Sequence, residues 1–436
     1  MSAGAAPMGL GWVGIIRLGL VQSAIGASVM LSTSLLNRIM TVELALPLAL
    51  PAGLVAWHYG VQLTRPLWGH GSDRGARRTP WIIGGMATLM LGSLLAVDSL
   101  GLLAARAPLG YVMAVAAYAL IGAGVGAAGT ALLALLAGLV APERRAAAAA
   151  TSWIMMIAGI VVTAGIASHL VDPFTPFRLA MVSGGIAVGA FLLAWGAVRG
   201  VEPRGRPVIE DAAPTQSFGA ALVEMLGERD ARQFTGFVFL SMLAYSMQDL
   251  ILEPFAGLVF AFTPGQSTGL SGVQHGGVLI GMLLAGIGGS AFGGGAPAAL
   301  RRWIVGGCLG SALALAGLGM AARIGPAWPL SANVWLLGFA NGVFAVAAIG
   351  AMMGLASSAG PQREGLRLGV WGAAQAIAFG LGGLSGAIGV DLLRGMGAGA
   401  ESFAGVFAAE AGLFLLAALL ATGMRAAAPR FKEAML

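Results

Sequence analysis

The residues best placed for chemistry are the few polar side chains set inside long apolar runs. Gln248, Asp249 and Glu253 share one run, and the two acids, four apart, lie on one face of a helix. Asn37 and Arg38 close the first apolar run, and Glu43 follows before Pro47. An ionisable group at bilayer depth costs about 2.5–3.5 kcal/mol on insertion scales, so each marks a functional position. Asn341, Gln375, Glu410, Arg17 and Gln22 are the other singular polar residues; Arg17 can snorkel to headgroups, and Glu410 should be partly solvated near its helix end. Proton relays need acids in series, and the run containing Tyr118 has none. The one cysteine, Cys308, excludes a disulfide framework and a cysteine-rich metal site. Lys432 is the one lysine, so there is no GxxxxGK phosphate loop and no ATP-driven pumping by this chain alone.

The elements that must position these residues are membrane helices. The chain has 436 residues, of which 58% are hydrophobic and 10% charged, with a mean hydropathy of +0.87. Soluble domains carry about 25% charged residues, so a soluble enzyme is excluded. Apolar runs place spans near 12–35, 45–64, 81–103, 110–138, 148–169 and 179–198, then near 234–255, 272–294, 303–322, 331–357, 368–390 and 404–424. The expected class is an all-α membrane protein of twelve transmembrane helices in a 6+6 arrangement. Residues 1–198 form the first bundle, 199–233 a charged linker, and 234–436 the second bundle with its tail. The first run is too long for a cleaved signal peptide and should stay as a span.

Basic residues decide orientation. Eighteen fall on one side, among them Arg74, Arg77, Arg78, Arg144, Arg204, Arg301, Arg363 and Lys432; the other side has Arg38, Arg106, Arg178, Arg323 and Arg394. Both termini and the linker are therefore expected in the cytoplasm. The pI near 10.4 reflects this topology and implies no nucleic acid. Gly122, Gly124, Gly126 and Gly129, and Gly380, Gly382, Gly383 and Gly386, are read as close-packing positions between helices.

Between the second and third runs, Gly69-His-Gly-Ser-Asp73-Arg74-Gly-Ala76-Arg77-Arg78 resembles the major facilitator loop G-x-x-x-D-R-x-G-R-[RK], with Ala76 in place of a glycine. In that superfamily the loop acid and arginines lock the cytoplasmic side. More specific runs are Leu36-Asn-Arg-Ile-Met-Thr-Val-Glu43 through Pro47, His58-Tyr-Gly-Val-Gln62, Arg65-Pro-Leu-Trp-Gly-His-Gly-Ser-Asp73, Arg77-Arg-Thr-Pro-Trp81, Gln248-Asp-Leu-Ile-Leu-Glu253-Pro-Phe-Ala-Gly257 and Leu270-Ser-Gly-Val-Gln-His275-Gly-Gly277. Together they resemble the PucC/LhaA family of phototrophic bacteria.

That resemblance implies a factor for assembling light-harvesting complexes that binds or delivers bacteriochlorophyll. Its partners would be antenna polypeptides, membrane lipid and a bacteriochlorophyll synthase, in the inner or intracytoplasmic photosynthetic membrane. The alternatives are a secondary transporter of a metabolite or tetrapyrrole, and a non-catalytic synthase partner. Prenyl transfer needs clustered aspartates to hold Mg²⁺ on a diphosphate; Asp73, Asp98, Asp172, Asp211, Asp230, Asp249 and Asp391 are scattered, so no enzyme is expected. Helices 1 and 7 are neighbours in major facilitators, which implies a pair of Arg38 with Asp249 or Glu253 closing the periplasmic side. A chlorin Mg²⁺ has an open axial position that imidazole fills. His58, between Trp57 and Tyr59 where a macrocycle could stack, and His275, at the opening of the eighth span, are the candidate ligands; His70 and His169 are poorly placed.

Overall fold

The computed structural model describes residues 10–65, 67–68, 72, 77–141, 144–202, 223, 226–291, 297–357 and 361–423. Among them the long elements are all helical: α1 Trp12–Glu43, α2 Ala49–Gln62, α3 Thr79–Ala104, α4 Pro108–Leu139, α5 Arg145–Leu170, α6 Pro176–Val198, α7 Arg229–Phe260, α8 Pro264–Ala291, α9 Pro297–Ile324, α10 Leu330–Ser357, α11 Pro361–Gly395 and α12 Glu401–Gly423. Eleven helices among the described residues are long and apolar enough to cross a membrane. The remaining one, α2, has 14 residues, short of the roughly 20 a span needs. This is a multi-pass membrane protein.

Three of the helix ends that differ from the hydropathy boundaries do so for a visible local reason. The first span does not stop near 35; α1 runs to Glu43 through two π-helical turns, Leu31–Leu35 and Ile39–Glu43. In these turns the N–H of Leu36 reaches Leu31 O and that of Leu44 reaches Ile39 O, five residues back. Hydroxyls compete for the nearby carbonyls: Ser32 and Thr33 both donate to Val29 O, and Thr41 to Asn37 O. The second span starts at Ala49, not 45, because Ala45 turns the chain with φ 48° and Leu46 N–H returns to Met40 O.

The eighth helix starts at Pro264 rather than 272. Thr263 and Gln266 cap it reciprocally, Thr263 N–H donating to Gln266 Oε1 at 3.0 Å and Gln266 N–H to Thr263 Oγ1 at 3.1 Å. Asp172, in the turn after α5, adds a carboxylate that accepts from Gly265 N–H at 3.1 Å and from the Thr263 hydroxyl. A negative side chain at a helix N-terminus is favourable.

The described parts of Met1–Asp211 and Asp249–His275 form one compact unit, and those of Ala212–Gln248 and Gly276–Leu436 form a second. In the first, α3 and α4 meet backbone to backbone; a Cβ on Gly124 would lie 2.6 Å from Leu89 N. Gly129 faces open space, so it is not a packing glycine. In the second unit, fully buried Trp371 donates to Thr235 Oγ1 at 3.0 Å and stands edge-on to Phe234. Gly386 there keeps α11 close to α7; a Cβ would come 3.1 Å from Met247 O.

Candidate functional site

The first unit gathers a cluster of buried polar side chains where the end of α1 meets α7 and the start of α8. Pro254 sits inside α7 and has no N–H to give Leu250 O, four residues back. Asn37 Nδ2 supplies that missing donor at 2.7 Å. One turn earlier on α1, Ser34 donates to Glu253 Oε1. Both α1 residues are buried.

Arg38 is 2% exposed and uses each arm of its guanidinium. Nε donates to Ser267 Oγ at 3.0 Å, Nη2 to Phe262 O at 2.7 Å, and Nη1 to Glu43 Oε1 at 2.5 Å. The ion partner is therefore Glu43, not Asp249. The cause is the π-helical turn over Ile39–Glu43, which brings residues five apart onto one face. Asp249 instead takes a 3.4 Å contact from Gln274 Nε2 on α8. Glu253 is also buried. Gly257 is required beside this cluster, since a Cβ would meet Val42 Cγ2 at 2.9 Å and Arg38 Nη2 at 3.3 Å. Tyr118 of α4 ties the same helix down, donating to Ser32 O at 2.8 Å.

The loop motif is placed only in part. Gly69, Asp73, Arg74 and also His70 lie outside the described residues. Arg77 and Arg78 lead into α3, where a residue the sequence did not single out receives them. Glu202, after α6, accepts from Arg78 N–H at 2.8 Å, Thr79 N–H at 2.8 Å and the Thr79 hydroxyl at 2.7 Å. Arg77 Nε stands 3.8 Å away. Burial of Glu202 raises its pKa, but the hydrogen bonds from Arg78 and Thr79 and the Arg77 charge outweigh this and hold the carboxyl below its ordinary 4.5. Arg78 also donates to Ala134 O on α4.

The two candidate histidines differ. His58 is buried; its Nε2 lies 2.7 Å from Gln62 Nε2, and its Nδ1 has no partner. Trp57, 46% exposed, points elsewhere and donates to Val115 O at 3.2 Å. Tyr59 stands edge-on to His58, with ring centroids 5.0 Å apart and planes at 72°. His275 lies in the fourth turn of α8, not at its opening, half-buried, with Nδ1 2.9 Å from Ser271 O. His169 is exposed and contacts Ser168.

In the second unit, Asn341 accepts from Ser311 at 2.7 Å while Gln248 is buried with neither amide atom partnered. Glu410 is fully buried rather than partly solvated, being nine residues into α12. In the first unit, Arg17 reaches Arg199 O at 2.5 Å instead of snorkelling freely. Among the described residues no three His, Cys, Asp or Glu side chains gather to hold a metal. The α1–α7–α8 cluster joins helices by charge and hydrogen bonds, with its cation fully engaged.

The family model described as PUCC protein matches residues 35–428. The chain belongs to the PucC family. The "Bacteriochlorophyll synthase 44.5 kDa chain" of Rhodobacter capsulatus is 52% identical over 96% of this PucC-family chain and 97% of its own length. A "Protein PucC" of Cereibacter sphaeroides is 30% identical over 92% and 90% of the two chains. Among solved structures, a bacterial homologue of the human lysosomal transporter Spinster superposes with a TM-score of 0.68 at 14% identity, covering 94% of this chain and 95% of that one. The nucleoside transporter NupG gives a TM-score of 0.69 at 12% identity, covering 94% and 99%. This PucC-family chain shares the fold of these two transporters.

Proposed function

We propose that this chain is an integral-membrane assembly factor for light-harvesting complexes, binding or delivering bacteriochlorophyll to antenna polypeptides rather than catalysing a reaction. The observation that carries the reading is its 52% identity over nearly its whole length to a protein named for bacteriochlorophyll synthesis, within the PucC family. The scattered aspartates support a partner of a prenyl-transferring synthase over the synthase itself. In this reading α2, extended by its flanking turns, is a twelfth span in a 6+6 layout. Residues 1–198 and 234–436 make the two bundles and 199–233 the linker, with both termini in the cytoplasm and the chain in the photosynthetic inner membrane.

A deletion strain tests this. Lost antenna absorbance with normal pigment synthesis supports assembly; accumulated pigment precursors would replace it with a role beside the synthase. The second reading is a secondary transporter of a metabolite or tetrapyrrole. The fold likeness to transporters and the buried Arg38, paired with Glu43, favour it. Uptake of a labelled tetrapyrrole by vesicles, abolished by Arg38→Ala, would support that reading instead.

A further inference from the structure

We propose that His275, rather than His58, supplies the axial imidazole for the metal of a magnesium chlorin; this rests on the pigment-handling reading above. A neutral imidazole ligates through the nitrogen that carries no proton, and the bond made by the other nitrogen decides which one that is. In His275, Nδ1 faces the Ser271 carbonyl at 2.9 Å. A carbonyl can only accept, so Nδ1 carries the proton and Nε2 keeps a free lone pair. The half-buried side chain is thus held by the backbone of its own helix with its ligating nitrogen unspent.

His58 is spent by the same logic. Arg65 donates to Gln62 Oε1, which fixes the amide so that its NH₂ faces the imidazole. His58 Nε2 must then accept, at 2.7 Å, and the proton falls on buried Nδ1. Its one lone pair is already used.

The test uses the purified full chain in detergent with two probes: bacteriochlorophyll, and the same pigment with its magnesium removed, which offers no axial position. Wild type should prefer the magnesium pigment about 10-fold or more, and His275→Ala should bind the two pigments alike. Added imidazole should restore both the preference and the visible band that moves with the coordination number of magnesium, which a folding defect would not allow. His58→Leu should keep the preference. Retained preference in His275→Ala, or loss confined to His58→Leu, would overturn the assignment. Wild type binding both pigments equally would overturn axial ligation while leaving pigment handling intact; binding neither would remove both.

Discussion

Asn37 Nδ2 donates a 2.7 Å hydrogen bond to Leu250 O, the carbonyl that Pro254 leaves without an intrahelical donor. A side chain on one helix thus completes the backbone of another. Proline is tolerated in membrane helices where a neighbour re-satisfies the freed carbonyl. Asn37→Leu should therefore destabilise the chain by about 1–3 kcal/mol, the cost of a buried unsatisfied acceptor. Adding Pro254→Ala should recover most of that loss by restoring the helix's own N–H. Thermal unfolding in detergent across the double-mutant cycle reads the coupling; strict additivity would refute it.

Arg38 should resist replacement by lysine. Its three contacts, to Ser267, Phe262 and Glu43, diverge from one planar fork, and a single ammonium cannot meet all three. Arg38→Lys and Arg38→Ala should both destabilise, the alanine by about 1–3 kcal/mol, the cost of leaving its hydrogen-bond acceptors unmet away from water. Exchanging charges between Arg38 and Asp249 should give no rescue, because Asp249 is not its partner.

Much of this framework was legible in the sequence. Hydropathy found the long spans because a helix crossing lipid must be apolar throughout. Polar residues singled out in α1 and α7 do bridge the two helices, but to partners the sequence did not mark: Asn37 bonds Leu250 O and Glu253 accepts from Ser34. The wrong partner for Arg38 came from assuming regular helix: the π-helical turn that aligns Arg38 with Glu43 has no simple periodic signature. The start of α8 was readable, since Thr263 and Gln266 have capping-box spacing, but hydropathy alone put it a turn or more late. Glu202 was not readable, because its partners Arg78 and Thr79 lie far away in sequence and only folding joins them.

Glu202 predicts a pH dependence. Its folded pKa lies below the ordinary 4.5, so its stabilisation is present above that value and is lost as pH falls through the folded one. At neutral pH, Glu202→Gln should cost about 1 kcal/mol, the scale of a lost helix cap. The gap between wild type and variant should close as unfolding is measured at progressively lower pH below 4.5. A gap that stays constant would contradict the role given to its carboxylate.

Glycine substitutions should separate packing from open positions on one helix. Gly124→Val must displace the α3 backbone, with Leu89 N 2.6 Å from the new Cβ, and should cost about 1–3 kcal/mol or more. Gly129→Ala, in open space, should change stability by no more than about 0.5 kcal/mol. Equal effects in a detergent melting assay would contradict the α3–α4 contact.

Pulling the tagged chain from phototrophically grown membranes and recording its absorption spectrum, with mass spectrometry of what accompanies it, tests the central claim most directly. The account predicts bacteriochlorophyll bands and antenna polypeptides in the purified fraction. A colourless preparation free of antenna polypeptides would contradict it.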